Sequence, residues 1–376
     1  MTNTEWCIGQ KIYSYDLMND NLIFIGEGLR MLKRRIKVGL GGYEKYPGDA
    51  DKICKQIVER CWNGQYFMTS AGHFCEFWTR DFGMCVDSLL ALGHRDRIRK
   101  TLHYALDHFK NAGRITTTIT PGGKPFNFPT YAPDSVAFLL HSIKQCNDPS
   151  LLETYRPFLQ QEIDHYAKTV LVEGKLRKDK TFSSMMDHSK KTASCYDWCV
   201  VGMVAQRCKE LGFSFPSLAI KEVLQKEYQT EKGYIDDLSP GAPITADANI
   251  FPYWCGLDKD GKKGVEAIRK LGLDKPLPVR YSNEHTQMNV FDLFAPGYES
   301  PKVIWLHLGM AYLQVVAKAR PSLLKDYVTK IRQFILEHHN FLEVMRSQDK
   351  PFETLFYAAD ESMLWAANAL ALGKAI

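Results

Sequence analysis

Two kinds of helical pattern alternate along the chain, and that alternation leaves few ways to fold it. MCVDSLLALG, SVAFLLHSI, DWCVVGMVAQRC, VIWLHLGMAYLQVVA and ESMLWAANALAL are apolar almost all round. HRDRIRKTLHYALDHFKN, LLETYRPFLQQEIDHYAKTV and SLLKDYVTKIRQFILEHH instead carry charge on one face. A helix that is apolar on every side is buried, whereas a striped one keeps a face in water. Inner and outer helices taken in turn predict an all-α toroid of hairpins, an (α/α)6 barrel. A helical solenoid would need a fixed repeat, and none is present.

Helices are predicted over 51–62, 80–92, 96–111, 133–146, 151–171, 192–211, 216–228, 262–271, 301–319, 321–338 and 357–372, most of them ended by Gly, Pro or Asn. One domain is expected to span residues 1–376, with 1–48 as a lead-in segment, since 376 residues suit a large single barrel. The net charge of +5 is spread along the chain. Its densest basic run, Lys33-Arg34-Arg35-Ile36-Lys37, is too short to argue for nucleic acid. No stretch has the apolar length to cross a membrane, and MTNTEWCIGQ lacks the pattern of a signal peptide. The ten cysteines form no CxxC pair and no metal-ligand spacing, which suggests reduced thiols in a cytoplasm. No partner of the nucleic-acid or membrane class is therefore expected, and no metal or organic cofactor. Oligomeric state cannot be read.

The unusual chemistry lies just before the buried helices, in FWTRDF, FNFPTYAPDS, SKKTASCYDW, FAPGYESPKVIW and LFYAADES. In a barrel of hairpins these loops gather at one end, where a rigid scaffold carries a ligand site. Arg80 and Asp81 sit back to back among aromatics, either tying a helix start together or lining a polar pocket. Asp134 follows Pro133 at a helix start, where it is a dipole-stabilised end residue or a general acid. A helix N-terminus lowers the pKa of an acid, so a general acid there needs burial to reverse the effect. Asp197, between Tyr196 and Trp198, is a capping residue or part of a sugar subsite. Glu343 is a turn residue or a catalytic carboxylate, with Glu353, Asp360 and Glu361 nearby as competitors, and Glu299 reads as a helix-start acid before Pro301. No GxSxG, HExxH, GxGxxG or P-loop is present, and His188, His285 and His307 are isolated. Carboxylates among aromatics remain, which is the equipment of glycoside hydrolysis.

From about Phe77 to Leu372 these segments resemble the six-hairpin glycosidases, most closely the alkaline/neutral invertase family. FWTRDFGMCVDSLLALG is similar to that family's tryptophan-x-arginine-aspartate-phenylalanine segment. YAPDSVAFLL resembles its proline-valine-aspartate-serine motif, and GYESPKVIW its glycine-serine-tryptophan-proline turn. MMDHSKKTASCYDWCVVGMVAQRC parallels the segment with a substrate-contacting glutamate, which falls on Asp197, one methylene shorter. LEVMRSQDKPFETLFY resembles the segment that opens with the general-base glutamate. Val136-Ala137-Phe138 stand where the family has paired tryptophans. Glucoamylases and glycogen-debranching glucosidases share the arginine-aspartate motif and the barrel.

The resemblance implies an inverting hydrolase of an α-glucosidic bond, in sucrose or a small α-glucoside, with Asp134 as acid and Glu343 as base. Glu361 and Glu299 are the alternative bases. Trp78, Arg80, Asp81, Tyr131, Tyr196, Asp197, Trp198, Trp254, Glu299, Tyr357 and Glu361 are the expected substrate-binding residues for a small carbohydrate. An amylo-α-1,6-glucosidase or glucoamylase-like enzyme on glycogen-type oligosaccharides is the alternative, as is a non-catalytic carbohydrate-binding barrel. A sugar epimerase would need a catalytic histidine pair, and the only adjacent one, His338-His339, ends an outer-type helix.

Overall fold

A computed structural model describes residues 23–284, 290–374 and 376. A helix over 23–41, α1, precedes the barrel. Helix α2 (Ala50–Arg60) begins where the Asp49 side chain accepts from the Lys52 amide at 2.9 Å, and it buries Ile53, Cys54, Ile57 and Val58. The chain then alternates as predicted through α3 (Thr79–Ala91), α4 (Arg95–Ala112), α5 (Asp134–Cys146), α6 (Pro149–Val170) and α7 (Cys195–Leu211). It continues through the short α8 (Ile220–Val223), α9 (Ala246–Trp254), α10 (Gly261–Lys270), α11 (Leu306–Ala319), α12 (Pro321–His338) and α13 (Ala366–Lys374).

The inner helices α3, α5, α7, α9, α11 and α13 each pack on the next, and α13 returns to α3, so the ring closes as an (α/α)6 barrel. Asn368 of α13 donates to the Met84 carbonyl of α3 at 3.2 Å across that closure. The outer helices lean on them with their apolar stripes; in α4 that stripe is Ile98, Leu102, Ala105, Leu106 and Phe109.

Short ladders bind the loops. Strands β1 (Phe77–Trp78), β2 (Thr118–Ile119) and β3 (Pro125–Phe126) form one antiparallel sheet, and β4 (Leu171–Val172) with β5 (Lys175–Leu176) a hairpin. A second hairpin joins β6 (Gln229–Thr230) to β7 (Gly233–Tyr234). A second three-stranded sheet joins β8 (Ile304–Trp305), β9 (Val344–Ser347) and β10 (Lys350–Pro351). The first and last of these sheets hold the approaches to α3 and α11.

Four segments differ from the sequence expectation. The helix expected over 216–228 is one turn of α8 followed by a π turn, Leu224–Tyr228. That expected over 301–319 starts only at Leu306, because Ile304 and Trp305 are paired with Met345 and Val344. The one expected over 357–372 is delayed to Ala366, since 357–365 runs as a loop that brings backbone N–H groups to buried carboxylates. Ala246–Trp254, outside the helices expected from sequence, is the fourth inner helix. Nine residues containing Pro252 give too little period to recognise.

A close helix approach runs through Gly83, where a Cβ would lie 2.6 Å from the Phe138 Cβ of α5. Gly83→Ala is therefore expected to overpack the α3–α5 contact and lower stability by about 1–3 kcal/mol in urea unfolding.

Candidate functional site

The hairpin topology brings the N-termini of the six inner helices to one end of the barrel, and buried acids occupy the first turns of four of them: Asp81, Asp134, Asp197 and Asp247. Arg80 of α3 ties two further segments together there. Its Nη1 donates to Asp134 Oδ2 at 3.2 Å, to the Ser184 carbonyl at 2.8 Å and to Asp187 Oδ1 at 3.1 Å. Its Nη2 donates to Asp187 Oδ2 at 3.1 Å, completing a two-pronged clamp. Ser183 supports the same loop, with its hydroxyl donating to Asp187 Oδ1 at 2.9 Å.

Beside this hub lies a small pocket open to solvent at one side. Asp81, Asp187 and Glu343 line it, walled by Trp78, Trp305 and Trp365 together with Phe74, Phe128, Phe291 and Tyr298. Asp81 accepts from Trp365 Nε1 at 3.0 Å. Glu343 accepts from the Tyr298 hydroxyl, from the Tyr357 hydroxyl at 2.6 Å and from the Asp360 amide at 2.8 Å. Every one of these partners is a donor, so the surroundings of Glu343 suit a carboxylate that accepts.

Several polar atoms on the wall have no partner among the described residues: Trp78 Nε1, Trp305 Nε1, Thr69 Oγ1 and His307 Nδ1. A buried polar atom left unpaired costs about 1–3 kcal/mol, so four around one cavity mark a place shaped for a hydroxyl-rich ligand. His307 is neutral there, since burial drives its pKa down to about 3.

The contest between helix dipole and burial is decided by burial. It pushes Asp81 up to about 6 against the pull of Arg80. It raises Asp197 to about 7 despite hydrogen bonds from Ser184 and Ser194, and Glu343 to about 7 despite its three donors. Asp134 is also raised by burial, opposed by Arg80 and Tyr196.

The expected binding residues fall into three groups. Trp78, Arg80 and Asp81 line the pocket. Directly behind it, Tyr196 donates to Asp134 Oδ2 at 2.8 Å, Asp197 accepts from Ser184 Oγ at 2.7 Å, and Tyr357 holds Glu343. Asp134 belongs to this layer: it is 0% exposed and absent from the pocket wall, which departs from the position expected of an acid at the barrel mouth.

The remaining five serve elsewhere. Trp198 is buried in α7, its Nε1 donating to the Ile220 carbonyl at 3.0 Å. Trp254 lies at the far, C-terminal end of α9, where Nε1 donates to Gln314 at 2.6 Å. Tyr131 packs edge-on against Phe182 and His165. Glu361 accepts from Arg34 at 2.7 Å and from the Glu44 amide at 2.6 Å, tying α1 to the barrel. Glu299 accepts from the His188 amide at 3.0 Å and so supports the loop carrying Asp187.

Asp187 is the pocket carboxylate that the sequence reading missed, along with the wall aromatics Phe74, Phe291, Tyr298, Trp305 and Trp365. It lies in a loop with its side chain 21% exposed. An acid after two buried methionines, in Met185-Met186-Asp187, was the available signal.

Among the described residues no group of His, Cys, Asp and Glu is placed to hold a metal ion. No family model and no curated protein matches the sequence. Solved structures do share the fold. A glycosidase superposes with a TM-score of 0.61 at 11% identity, over 87% of this chain and 96% of its own. A rhamnosidase from Klebsiella oxytoca with rhamnose bound gives 0.57 at 11% identity, over 87% of this chain and 65% of its own. A GH63 mannosylglycerate hydrolase from Thermus thermophilus gives 0.56 at 10% identity, over 86% of this chain and 100% of its own.

The tyrosine donors hold the pKa of Glu343 below where burial alone would put it. Tyr357→Phe removes one of them, so the Glu343 carboxyl is expected to titrate above about 7 by carbonyl NMR.

Proposed function

We propose that the chain is a glycoside hydrolase that cleaves an α-glucosidic bond with inversion, with Asp187 as general acid and Glu343 as general base. The observation that carries this reading is that Asp187 and Glu343 face one tryptophan-walled pocket rich in unpaired polar atoms. Carbohydrate needs that combination: flat apolar walls for the ring faces and directed polar groups for the hydroxyls. The similar solved structures support it, since one is a glycosidase variant holding glucose.

In this reading Asp187 moves its proton to the glycosidic oxygen as the bond to the anomeric carbon breaks. Glu343 takes a proton from the water that attacks the opposite face, which calls for carboxyl groups about 6.5–9.5 Å apart. The clamp of Arg80 holds the Asp187 carboxyl on the pocket wall, within reach of a bound glycosidic oxygen. Asp81 and Arg80 grip the hydroxyls of the non-reducing glucose. Asp134, assigned the acid role from resemblance, here anchors Arg80 from behind.

Single substitutions test the assignment, read as glucose release from sucrose, maltose, isomaltose and trehalose. Asp187→Asn and Glu343→Gln are each expected to lower kcat by about 100-fold or more. Asp134→Asn is expected to act more mildly. Loss with Asp134→Asn alone would return the acid role to Asp134, and no turnover of any glycoside by the unaltered protein would remove the hydrolase reading.

The pH profile is a second check. Glu343 must be ionised to act, and burial places it at about 7, so kcat/KM is expected to fall as pH drops below about 7. Full activity down to about pH 5 would mean that another group is the base.

A further inference from the structure

The basic run Lys33-Arg34-Arg35-Ile36-Lys37 finds no use in the pocket chemistry, and the structure divides it between two faces of α1. The inner face packs on the barrel. Met31 lines the pocket, Phe24 packs against Phe126 and Phe128, and Arg34 is buried with Glu361 and Asp360. Arg35 is also engaged, its Nε donating to the Thr354 carbonyl at 2.8 Å.

The outer face is different. Ile25 is 60% exposed, Leu29 62%, Ile36 56% and Leu40 87%. At about 100° per residue these four fall within an arc of about 60°, a continuous aliphatic stripe along the helix. Lys33 and Lys37 are exposed along one edge of the stripe and form no ion pair among the described residues. Residues 23–41 hold Arg30, Lys33, Arg34, Arg35 and Lys37 against the single acid Glu27, which is itself buried against Arg30.

We propose that the outer face of α1 docks on an anionic lipid bilayer, with Ile25, Leu29, Ile36 and Leu40 entering the headgroup boundary and Lys33 and Lys37 meeting lipid phosphates and carboxylates. Charge decides among possible occupants. A second copy of α1 would bring the same cations with no exposed acid to meet them, whereas an anionic surface satisfies both the stripe and its basic edge. An apolar stripe flanked by lysines is the pattern of a helix lying in the interface plane. No helix among the described residues is long and apolar enough to cross a membrane, and lying on one needs none. This revises the expectation that the chain has no membrane partner. It does not depend on the hydrolase reading, because the readout is binding.

The test is co-sedimentation of the full chain with phosphatidylcholine vesicles, with and without about a third phosphatidylserine. Selective binding to the anionic vesicles, reversed by about 0.5 M salt, is expected. Leu29→Asn with Ile36→Asn, and separately Lys33→Gln with Lys37→Gln, are each expected to weaken it by about tenfold or more. Circular dichroism checks that both variants fold, and the lysine pair lies wholly on the surface. No binding to anionic vesicles, or variants that bind as well as the unaltered chain, would overturn the proposal. So would light scattering that shows a dimer abolished by Leu29→Asn with Ile36→Asn, which would make the stripe a self-interface.

Discussion

A single buried guanidinium organises the working end of this barrel. Arg80 is almost without solvent, and a buried cation is tolerable only when its partners are fixed around it. Its partners come from two places: Asp134 at the start of α5, and Asp187 with the Ser184 carbonyl in the loop before α7. The carboxylates and the arginine hold one another, and three acids close by raise the Arg80 pKa well above its usual value, despite desolvation. Remove the cation and two acids lose the charge that makes their burial tolerable. Arg80 is thus the main charged anchor of Asp187 on the pocket wall, with Ser183 beside it.

The second constraint is the competition between helix dipoles and desolvation. Six inner helices aim their positive ends at the pocket, which by itself would hold every nearby acid ionised. Burial overrides this at Asp81, Asp197 and Glu343, which are pushed to about 6, 7 and 7. Carboxyls that titrate near neutrality are poised to exchange protons at neutral pH, whereas surface carboxyls are not. The same topology that collects the acids therefore also tunes them.

The barrel was legible because its inner helices are apolar on all sides, a pattern that survives without knowledge of any contact. α9 escaped because a nine-residue helix with Pro252 carries almost no period. Residue types near the helix starts pointed to the right end of the molecule but could not separate wall from backing. Asp134 and Asp197 look like site acids in sequence, yet each faces inward to Arg80, Tyr196 or Ser184. Asp187 looks like an ordinary loop residue and reaches the pocket because Ser183, together with Arg80 and Glu299 from other parts of the chain, holds its loop inward. Trp254 shows the opposite error. Its sequence setting suggests a sugar platform, but a helix turns it to the far end of the barrel, beside His141. Which way a side chain points is a tertiary fact, set by packing partners that lie far away in sequence.

The central claim is that two carboxyls act across a bound water, one on each face of the sugar, and the stereochemistry of the first product tests this most directly. Early proton NMR of an α-glucoside turnover, recorded before mutarotation, should show β-glucose as the first anomer formed. α-Glucose appearing first would mean retention, and the Asp187–Glu343 account of acid and base would be wrong.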